Sequence, residues 1–392
     1  MPSATSDQSV IPAQAVLPGP SFVGSSAFNA GLFLTVWDRG AIRRPFLPLH
    51  LFLLLRSLVY MEPDRRHLAL MLLTFLIPAA PVLSQDTRVP ERYRVDTLLT
   101  SRLATIVGEL GLGGDFDVGE DGIEQISLAV IDLQGEQPRI AGVNMLNFIY
   151  PASVYKMYVA AEILEQVSAG RYSLWSPAIV RFPNAVDDTK ELLNDPRPLL
   201  REGDTVTVNY LLDLMVTRSD NTAANCLIDL AGRKEINAFI ARYGWQGSEV
   251  TRKFLKRRFE DPGFESVRGT ETCALHSADF LYLVWKNRLV NPWVSQQMKS
   301  FLSRQLDTTK LAAGLPGNAM FYHKTGWFSF WTNDVGIVDD GSVRYIIACF
   351  LPLREEVAGP KMKEMSRRVY ELFHTVPGQR TEPGSPKEHE DE

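Results

Sequence analysis

The sequence predicts a mixed α/β (α+β) fold with two lobes. Two apolar, β-rich segments lie early in the chain, at 126–133 and 139–144, and two more lie near its end, at 331–338 and 343–351. The segments between them show mainly the helical spacing of apolar residues. Strands from both ends of the chain would therefore join in one sheet, while the middle forms an all-helical lobe beside it. A cleft between such lobes is a natural place for a site.

The composition is that of an ordinary globular protein. The chain has 392 residues, of which 45 % are hydrophobic and 22 % are charged, which is room for one large or two medium domains. The net charge is −5, from 41 basic and 46 acidic residues, so a nucleic-acid partner is not expected. The cysteines, Cys226, Cys273 and Cys349, form no CxxC pair, so no metal site is indicated. We expect them to be buried packing residues; one disulfide is the alternative, and the sequence does not choose its pair.

Residues 61–84 have the organisation of a secretory signal peptide. Arg65 and Arg66 precede an uncharged apolar run over 68–83, and small residues stand just before Gln85, where cleavage is expected. The run is short and broken by proline, which disfavours a membrane span. A secreted or periplasmic protein is therefore predicted.

The position of this signal, far from the first residue, needs an explanation. Because Met61 stands where a start methionine would precede such a leader, we hypothesise that translation begins there and that residues 1–60 are an upstream over-reading. The alternative is a retained N-terminal extension whose apolar run, at 46–55, anchors the chain in a membrane.

The helices are predicted from apolar residues at helical spacing that end at turn residues. A glycine- and aspartate-rich loop over 111–122 separates the opening helix from the first hairpin, and 171–206 is predicted to be irregular. The predicted helices span 95–110, 153–166, 208–216, 225–231, 278–285, 292–302 and 362–373.

One domain over 85–376 is predicted from this order of elements. Its sheet lobe combines 92–150 with 310–376, and its helical lobe is 151–309. The tail over 377–392 carries prolines and charges with almost no apolar residues, so it is predicted to be disordered.

A serine and a lysine at i and i+3 form the first chemical motif. Ser153 follows Pro151 and opens a predicted apolar helix, and Lys156 lies on the same helix face. Free N–H groups at a helix start favour negative charge, and a lysine made neutral by burial or by a second cation can take the serine proton. An isolated pair of this kind is usually a capping serine with a surface lysine, so the interpretation depends on the other motifs.

The second motif is Ser219, Asp220 and Asn221. Ser219 can relay a proton between Lys156 and a leaving nitrogen, and Asn221 can hold Lys156 and a substrate amide by hydrogen bonds. The same three residue types are also well suited to a plain turn between two helices.

The third motif is Lys324, Thr325 and Gly326, followed by Trp327, in a predicted strand. The lysine charge and the threonine hydroxyl suit a substrate carboxylate, and the glycine lets a ligand lie against the backbone. The backbone N–H groups of Ser153 and Trp327 are the expected oxyanion hole, at about 3–4 kcal/mol per donor. His323 should point to the other face of the strand and pack there. An exposed Lys-Thr-Gly turn is the alternative.

Together, in this order, the three motifs resemble those of the class A serine β-lactamases, a family of penicillin-recognising serine enzymes. The string from Met215 to Asn225 resembles that family closely, and the resemblance covers roughly 92–375. It implies helices around an antiparallel sheet of about five strands beside an all-helical lobe, acylation of Ser153 by the lactam carbonyl, and no metal or cofactor. The family's usual disulfide joins positions held here by Ala160 and Leu212, so that bridge is absent.

The resemblance is weaker at the acid that activates the deacylating water. The family pattern is Arg-x-Glu-x-x-x-Asn, and this chain offers Arg258 and Glu260 with Phe264 at the asparagine position. Glu260 also comes a few residues late after the family-like 250–252, so an insertion is needed. The competing acids are Asp261, Glu265 and Glu271. A solvated charged loop is the alternative to catalysis by Glu260.

The predicted function is that of a secreted serine hydrolase that opens β-lactam rings through an acyl-enzyme on Ser153. Without a placed base the acyl-enzyme would persist, as in a D-Ala-D-Ala peptidase or penicillin-binding protein. A non-catalytic muropeptide-binding relative is the third hypothesis. The expected partner is a small β-lactam or a cell-wall peptide, and the expected state is a monomer.

Overall fold

The computed structural model describes residues 89–187, 195–264 and 266–374. The predicted upstream extension, signal peptide and tail all lie outside the described residues. Among the described residues, no helix combines the length and the apolar character needed to cross a membrane.

The described residues form ten strands, most of them in one sheet. The strands are β1 (Arg94–Val95), β2 (Phe116–Asp117), β3 (Ile123–Glu124), β4 (Ser127–Asp132), β5 (Arg139–Val143), β6 (Pro177–Ile179), β7 (Thr205–Thr207), β8 (Met320–Phe328), β9 (Trp331–Asp339) and β10 (Arg344–Leu351). The main sheet has six strands in the order β1-β5-β4-β10-β9-β8. All neighbours are antiparallel except β1, which pairs parallel to β5.

Strands from the two ends of the chain meet in this sheet at the pairing of β4 with β10, where Ile131 lies opposite Ile346. The prediction of one sheet built from both termini is therefore confirmed. The five longer strands are the antiparallel set that the family resemblance implied, and the short β1 adds one parallel edge strand.

Eight α-helices are found in the described part of the chain. They are α1 (Thr97–Glu109), α2 (Lys156–Ser168), α3 (Val208–Thr217), α4 (Asn221–Ala231), α5 (Arg233–Arg242), α6 (Ala274–Trp285), α7 (Pro292–Leu302) and α8 (Glu355–His374). Helix α5 was not predicted, because only Ile236, Phe239 and Ile240 of its side chains are buried. Helix α8 begins earlier than predicted, because Pro360 lies inside it and hides its first turns from a pattern search.

Both faces of the sheet are covered, which explains the continuous apolar runs of its strands. Along β4 the side chains alternate: Ala129 and Ile131 join the core shared with the helical lobe, while Leu128 and Val130 join the core under α1 and α8. Helix α2 is buried on nearly all sides and lies at the centre of the helical lobe. This buried helix carries the amine of the first motif.

The cysteines are free and buried, as expected from the sequence. Burial raises the pKa of the Cys226 and Cys273 thiols to about 12. Ala160 and Leu212, at the positions of the family's disulfide, are fully buried apolar residues of the same core.

Candidate active site

Ser153 lies in a short 3₁₀ turn, Ala152–Tyr155, that leads directly into α2. The α-helix proper begins at Lys156, so the predicted helix start at Ser153 is a tighter turn. The preceding residue, Ala152, has φ 47°, a left-handed conformation that is uncommon for a residue with a Cβ. Such strain persists only where the surroundings impose it. The turn leaves Ser153 half-buried between two fully packed neighbours.

Strand β8 packs directly against this turn. A Cβ built on Gly326 would lie 2.6 Å from the Ser153 nitrogen, 2.7 Å from the Pro151 carbonyl oxygen and 2.9 Å from the Val154 nitrogen. Any side chain at this position would have to displace backbone, so the contact itself requires glycine. The first and third motifs therefore share one site.

The Lys156 amine joins the first motif to the second. Its Nζ donates to the Ser219 carbonyl oxygen at 2.7 Å, to Ser219 Oγ at 3.2 Å and to Asn221 Oδ1 at 2.8 Å. Lys156 is fully buried, and a buried amine is stable only when its N–H groups have acceptors. Ser219 has φ 59°, and this strained turn brings both its carbonyl and its hydroxyl to the amine.

Asp220, the middle residue of the second motif, has a structural task. Its Oδ1 accepts the Ala223 N–H at 2.7 Å, which caps α4. Its Oδ2 accepts from Arg218 Nη2 at 2.9 Å, and Arg218 in turn donates to the carbonyl oxygens of Arg197 and Pro198. This network fixes the conformation of the turn that carries Ser219 and Asn221.

Asp187 contacts the second motif, although it is not part of any of the three sequence motifs. The Asn221 backbone nitrogen donates to Asp187 Oδ2 at 2.6 Å, and Asn221 Nδ2 donates to Asp187 Oδ1 at 3.0 Å. Asp187 comes from the stretch predicted as irregular, so only the three-dimensional fold could reveal the contact.

The third motif lies at the edge strand of the sheet. Lys324 is fully buried, and its Nζ donates to the Thr325 carbonyl oxygen at 2.7 Å. Trp327 is exposed at 58 %, next to the buried Gly326. His323 packs away from this chemistry, as expected: its Nδ1 hydrogen-bonds Asp334 Oδ1 at 2.9 Å.

Glu260, the predicted deacylation base, is held in a different set of contacts. Its Oε1 accepts from Arg233 Nη1 at 2.9 Å, and its Oε2 accepts the Lys253 N–H at 3.3 Å and lies 3.7 Å from Arg252 Nε. Arg233 also pairs with Asp261, so these charges fasten the loop to α5. The structure thus gives the carboxylate cationic and backbone partners. Its role as a base stays a prediction.

The same loop presents an aromatic ring to the site. The Phe254 ring centroid lies 4.2 Å from Lys156 Nζ, a cation–π distance, and the ring stacks on Tyr155 with centroids 5.0 Å apart. Asn225 holds the Phe254 backbone, accepting its N–H at 2.7 Å and donating to its carbonyl at 3.4 Å. Sequence reasoning missed Phe254, because an aromatic residue in a charged loop carries no catalytic pattern.

Two tyrosines that flank Ser153, Tyr150 and Tyr155, are neutral at ordinary pH. Burial raises the pKa of Tyr150, and it raises the pKa of Tyr155 well above the usual value for a phenol. Neither phenol is suited to act as a base here.

Taken together, these contacts bring the turn at Ser153, the buried Lys156 amine, Ser219, Asn221 and Gly326 into one cluster. The model of the beta-lactamase enzyme family matches residues 117–373, and the chain belongs to this family.

Relatives of known identity agree with this assignment. A β-lactamase from Bacteroides uniformis is 26 % identical over 241 residues, covering 56 % of this chain and 78 % of that protein. The structure of PBP-A matches with a TM-score of 0.59 at 20 % identity, covering 72 % of this chain and 98 % of that one. A β-lactamase from Sphaerobacter thermophilus matches with a TM-score of 0.58 at 20 % identity, covering 71 % and 98 % of the two chains. One matching structure is an acyl-enzyme complex of a PBP-A variant with penicillin G. At these identities the solved structures establish the fold.

Proposed function

We propose that this protein is a serine hydrolase of the class A β-lactamase type that opens β-lactam rings through a covalent acyl-enzyme on Ser153. The observation that carries the proposal is the position of the Lys156 amine. This amine hydrogen-bonds both Ser219 Oγ and Asn221 Oδ1, and Lys156 follows Ser153 by one helical turn. Gly326 contacts the backbone of the turn that carries Ser153.

The proposed acylation follows from this arrangement. Ser153 Oγ attacks the lactam carbonyl carbon, and its proton passes to Lys156 once that amine is neutral. The tetrahedral oxyanion is stabilised by the backbone N–H groups of Ser153 and Trp327. When the C–N bond of the ring breaks, Ser219 Oγ passes its proton to the leaving nitrogen and takes up the proton that Lys156 received from Ser153, so both side chains return to their starting states. The product is an ester on Ser153, which water then hydrolyses.

The third motif supplies recognition in this proposal. Lys324 and Thr325 offer a positive charge and a hydroxyl to the carboxylate that such substrates carry. Gly326 leaves the strand backbone open to the ligand. The substrate is therefore a small anionic acyl donor with a strained or activated amide.

A second candidate is a penicillin-binding enzyme or D-Ala-D-Ala peptidase whose lactam acyl-enzyme persists. Two observations favour it. The Glu260 carboxylate accepts from Arg233 and the Lys253 amide, and the loop residue next to the Lys156 amine is Phe254, which cannot activate water. In this candidate acylation is fast and deacylation is slow.

One experiment separates the candidates. Purified protein is mixed with nitrocefin and with penicillin G, and turnover is followed together with intact mass and peptide mapping; Ser153→Ala is the control. Sustained turnover supports the hydrolase, whereas a stoichiometric adduct on the Ser153 peptide without turnover supports the penicillin-binding enzyme. Absence of any adduct on Ser153 overturns both, and muropeptide binding that Ser153→Ala retains would then support a binding protein.

We further propose that the enzyme is exported and works as a monomer. The signal-like segment over 61–84 supports export, and N-terminal sequencing of the exported protein tests it. A mature end far upstream of Gln85 would contradict the signal and favour the membrane-anchored alternative. Size-exclusion chromatography with light scattering tests the monomer.

A further inference from the structure

The carboxylate of Asp187 bridges the two N–H groups of Asn221. Oδ2 accepts the backbone N–H at 2.6 Å, and Oδ1 accepts the side-chain amide at 3.0 Å. Asp187 is 7 % exposed, so little water competes for these bonds. The two contacts fix the backbone and the side-chain amide of Asn221 together.

The segment that carries Asp187 is docked on the first turn of α4. The backbone nitrogens of Val186 and Asp187 donate to Thr222 Oγ1 at 2.9 Å and 3.3 Å. Asn184, just upstream, accepts a hydrogen bond from Asn225 Nδ2 at 3.3 Å. The carboxylate thus lies at the N-terminal end of a helix, where free N–H groups and the helix dipole favour a negative charge.

The orientation of the Asn221 amide follows from its partners. An ionised carboxylate can only accept, so it selects the NH₂ end of the amide, and the oxygen end must turn toward the Lys156 amine, 2.8 Å away. The NH₂ group has two hydrogens. Asp187 takes one, which leaves the other for the amide carbonyl of an acyl donor.

We propose that Asp187 is a positioning residue, which sets the orientation of Asn221 and through it the positions of Lys156 and the bound acyl donor. This inference rests on the proposed acylation of Ser153. In this proposal Asp187 acts on acylation through Asn221, whose backbone and side-chain nitrogens both donate to its carboxylate.

A double-mutant cycle tests this path. The acylation rate of Ser153 by a fluorescent penicillin is measured for Asp187→Ala, Asn221→Ala and the double variant, with melting temperatures recorded for each. Asp187→Ala is expected to slow acylation about tenfold to hundredfold, the usual effect of losing a hydrogen bond to a charged group. The double variant should be no slower than Asn221→Ala alone. Additive losses would overturn the inference.

Conservative and neighbouring variants separate positioning from folding. Asp187→Asn keeps an acceptor oxygen and should retain more acylation than Asp187→Ala at a similar melting temperature. Thr222→Ser keeps the hydroxyl that holds the segment and serves as the matched control, with acylation within about threefold of the parent. An Asp187→Asn variant no better than Asp187→Ala would count against the carboxylate's role as an acceptor.

A readout without substrate keeps the inference testable if the proposed function fails. In protein labelled with ¹⁵N-asparagine, the Asn221 side-chain NH₂ signals are assigned by their loss in Asn221→Ala. Asp187→Ala should shift these signals and speed their exchange with water, since the bonded hydrogen is freed. Unchanged signals would overturn the inference, whereas absence of acylation in the parent protein would overturn only the proposed function.

Discussion

Gly326 lies against the backbone of Ser153 so closely that a Cβ on it would come within 2.6 Å of the Ser153 nitrogen. The edge strand of the sheet and the turn that carries Ser153 are thus in direct contact. The first and third motifs, far apart in the chain, can make this contact because residue 326 has no Cβ.

Gly326→Ala is expected to disturb this contact. The added methyl group must push the strand away from the turn, since the atoms it meets are backbone atoms of Pro151, Ser153 and Val154. We expect acylation of Ser153 to fall at least about a hundredfold and stability to fall by about 1–3 kcal/mol, the usual cost of overpacking. Labelled penicillin and urea denaturation measure the two effects. Gly317→Ala is the matched control, because a Cβ there meets nothing within 4 Å; a Gly326→Ala variant as active as this control would refute the contact.

Lys156→Arg is expected to abolish acylation while keeping a positive charge in the pocket. A guanidinium stays protonated at all relevant pH values, so it cannot take the proton of Ser153. Removing a general base typically costs about 10²–10⁴ in rate. Stopped-flow acylation with nitrocefin measures the loss. If Lys156→Arg acylates at more than about a tenth of the parent rate, charge alone suffices and the lysine is not the base.

Glu260→Gln distinguishes a structural carboxylate from a catalytic one. Arg233 loses one of its two anionic partners and keeps Asp261, so we expect a loss of about 1–3 kcal/mol in the free energy of unfolding. The lifetime of the acyl-enzyme should stay within about twofold of the parent, because the Glu260 carboxylate already accepts from Arg233 and from the Lys253 backbone N–H. Mass spectrometry after rapid mixing follows that lifetime. A rise of tenfold or more in a folded variant would support Glu260 as the deacylation base.

Stability should fall on mild acidification because of His276. Burial lowers the pKa of this imidazole from 6.5 to about 4, while Ser248 Oγ hydrogen-bonds its Nδ1 at 2.8 Å. Between these two pKa values the unfolded chain binds a proton that the folded protein does not, so stability is lost as the pH falls from about 6.5 toward 4. The full effect is about 3 kcal/mol. Urea denaturation at pH 7 and pH 4.5 measures it, and His276→Gln should flatten the dependence; equal slopes in both proteins would assign the effect to other groups.

The sequence located most of the secondary structure, and the reasons are local. Helix α3 was predicted at 208–216 and is Val208–Thr217, because its apolar residues repeat at the spacing of one helix face. Helix α7 was predicted to its exact bounds, since Asn291 caps it and a proline follows at its first position. Helix α5 was missed because it buries a narrow stripe of apolar residues, too few to stand out in the pattern.

Part of the candidate site could also be predicted from the sequence. Ser153 and Lys156 are one helical turn apart, so their relation is local and the sequence alone predicts it. The order of the three motifs pointed to a family, and the match over 117–373 confirms that family. The choice of Glu260 rested on a motif with an insertion, and its role stays a prediction; the structure shows its carboxylate accepting from Arg233 and from the Lys253 backbone.

What the sequence determined by itself is therefore most of the longer helices and strands and the candidate groups of the site, because periodicity, capping and short motifs depend only on near neighbours. The tertiary structure alone decided which distant groups meet: Gly326 against Ser153, Phe254 against Lys156, and Asp187 against Asn221. Such contacts depend on the conformations of the loops and on the packing of the two lobes. Both are determined by many weak interactions over the whole chain, which a local sequence pattern does not contain.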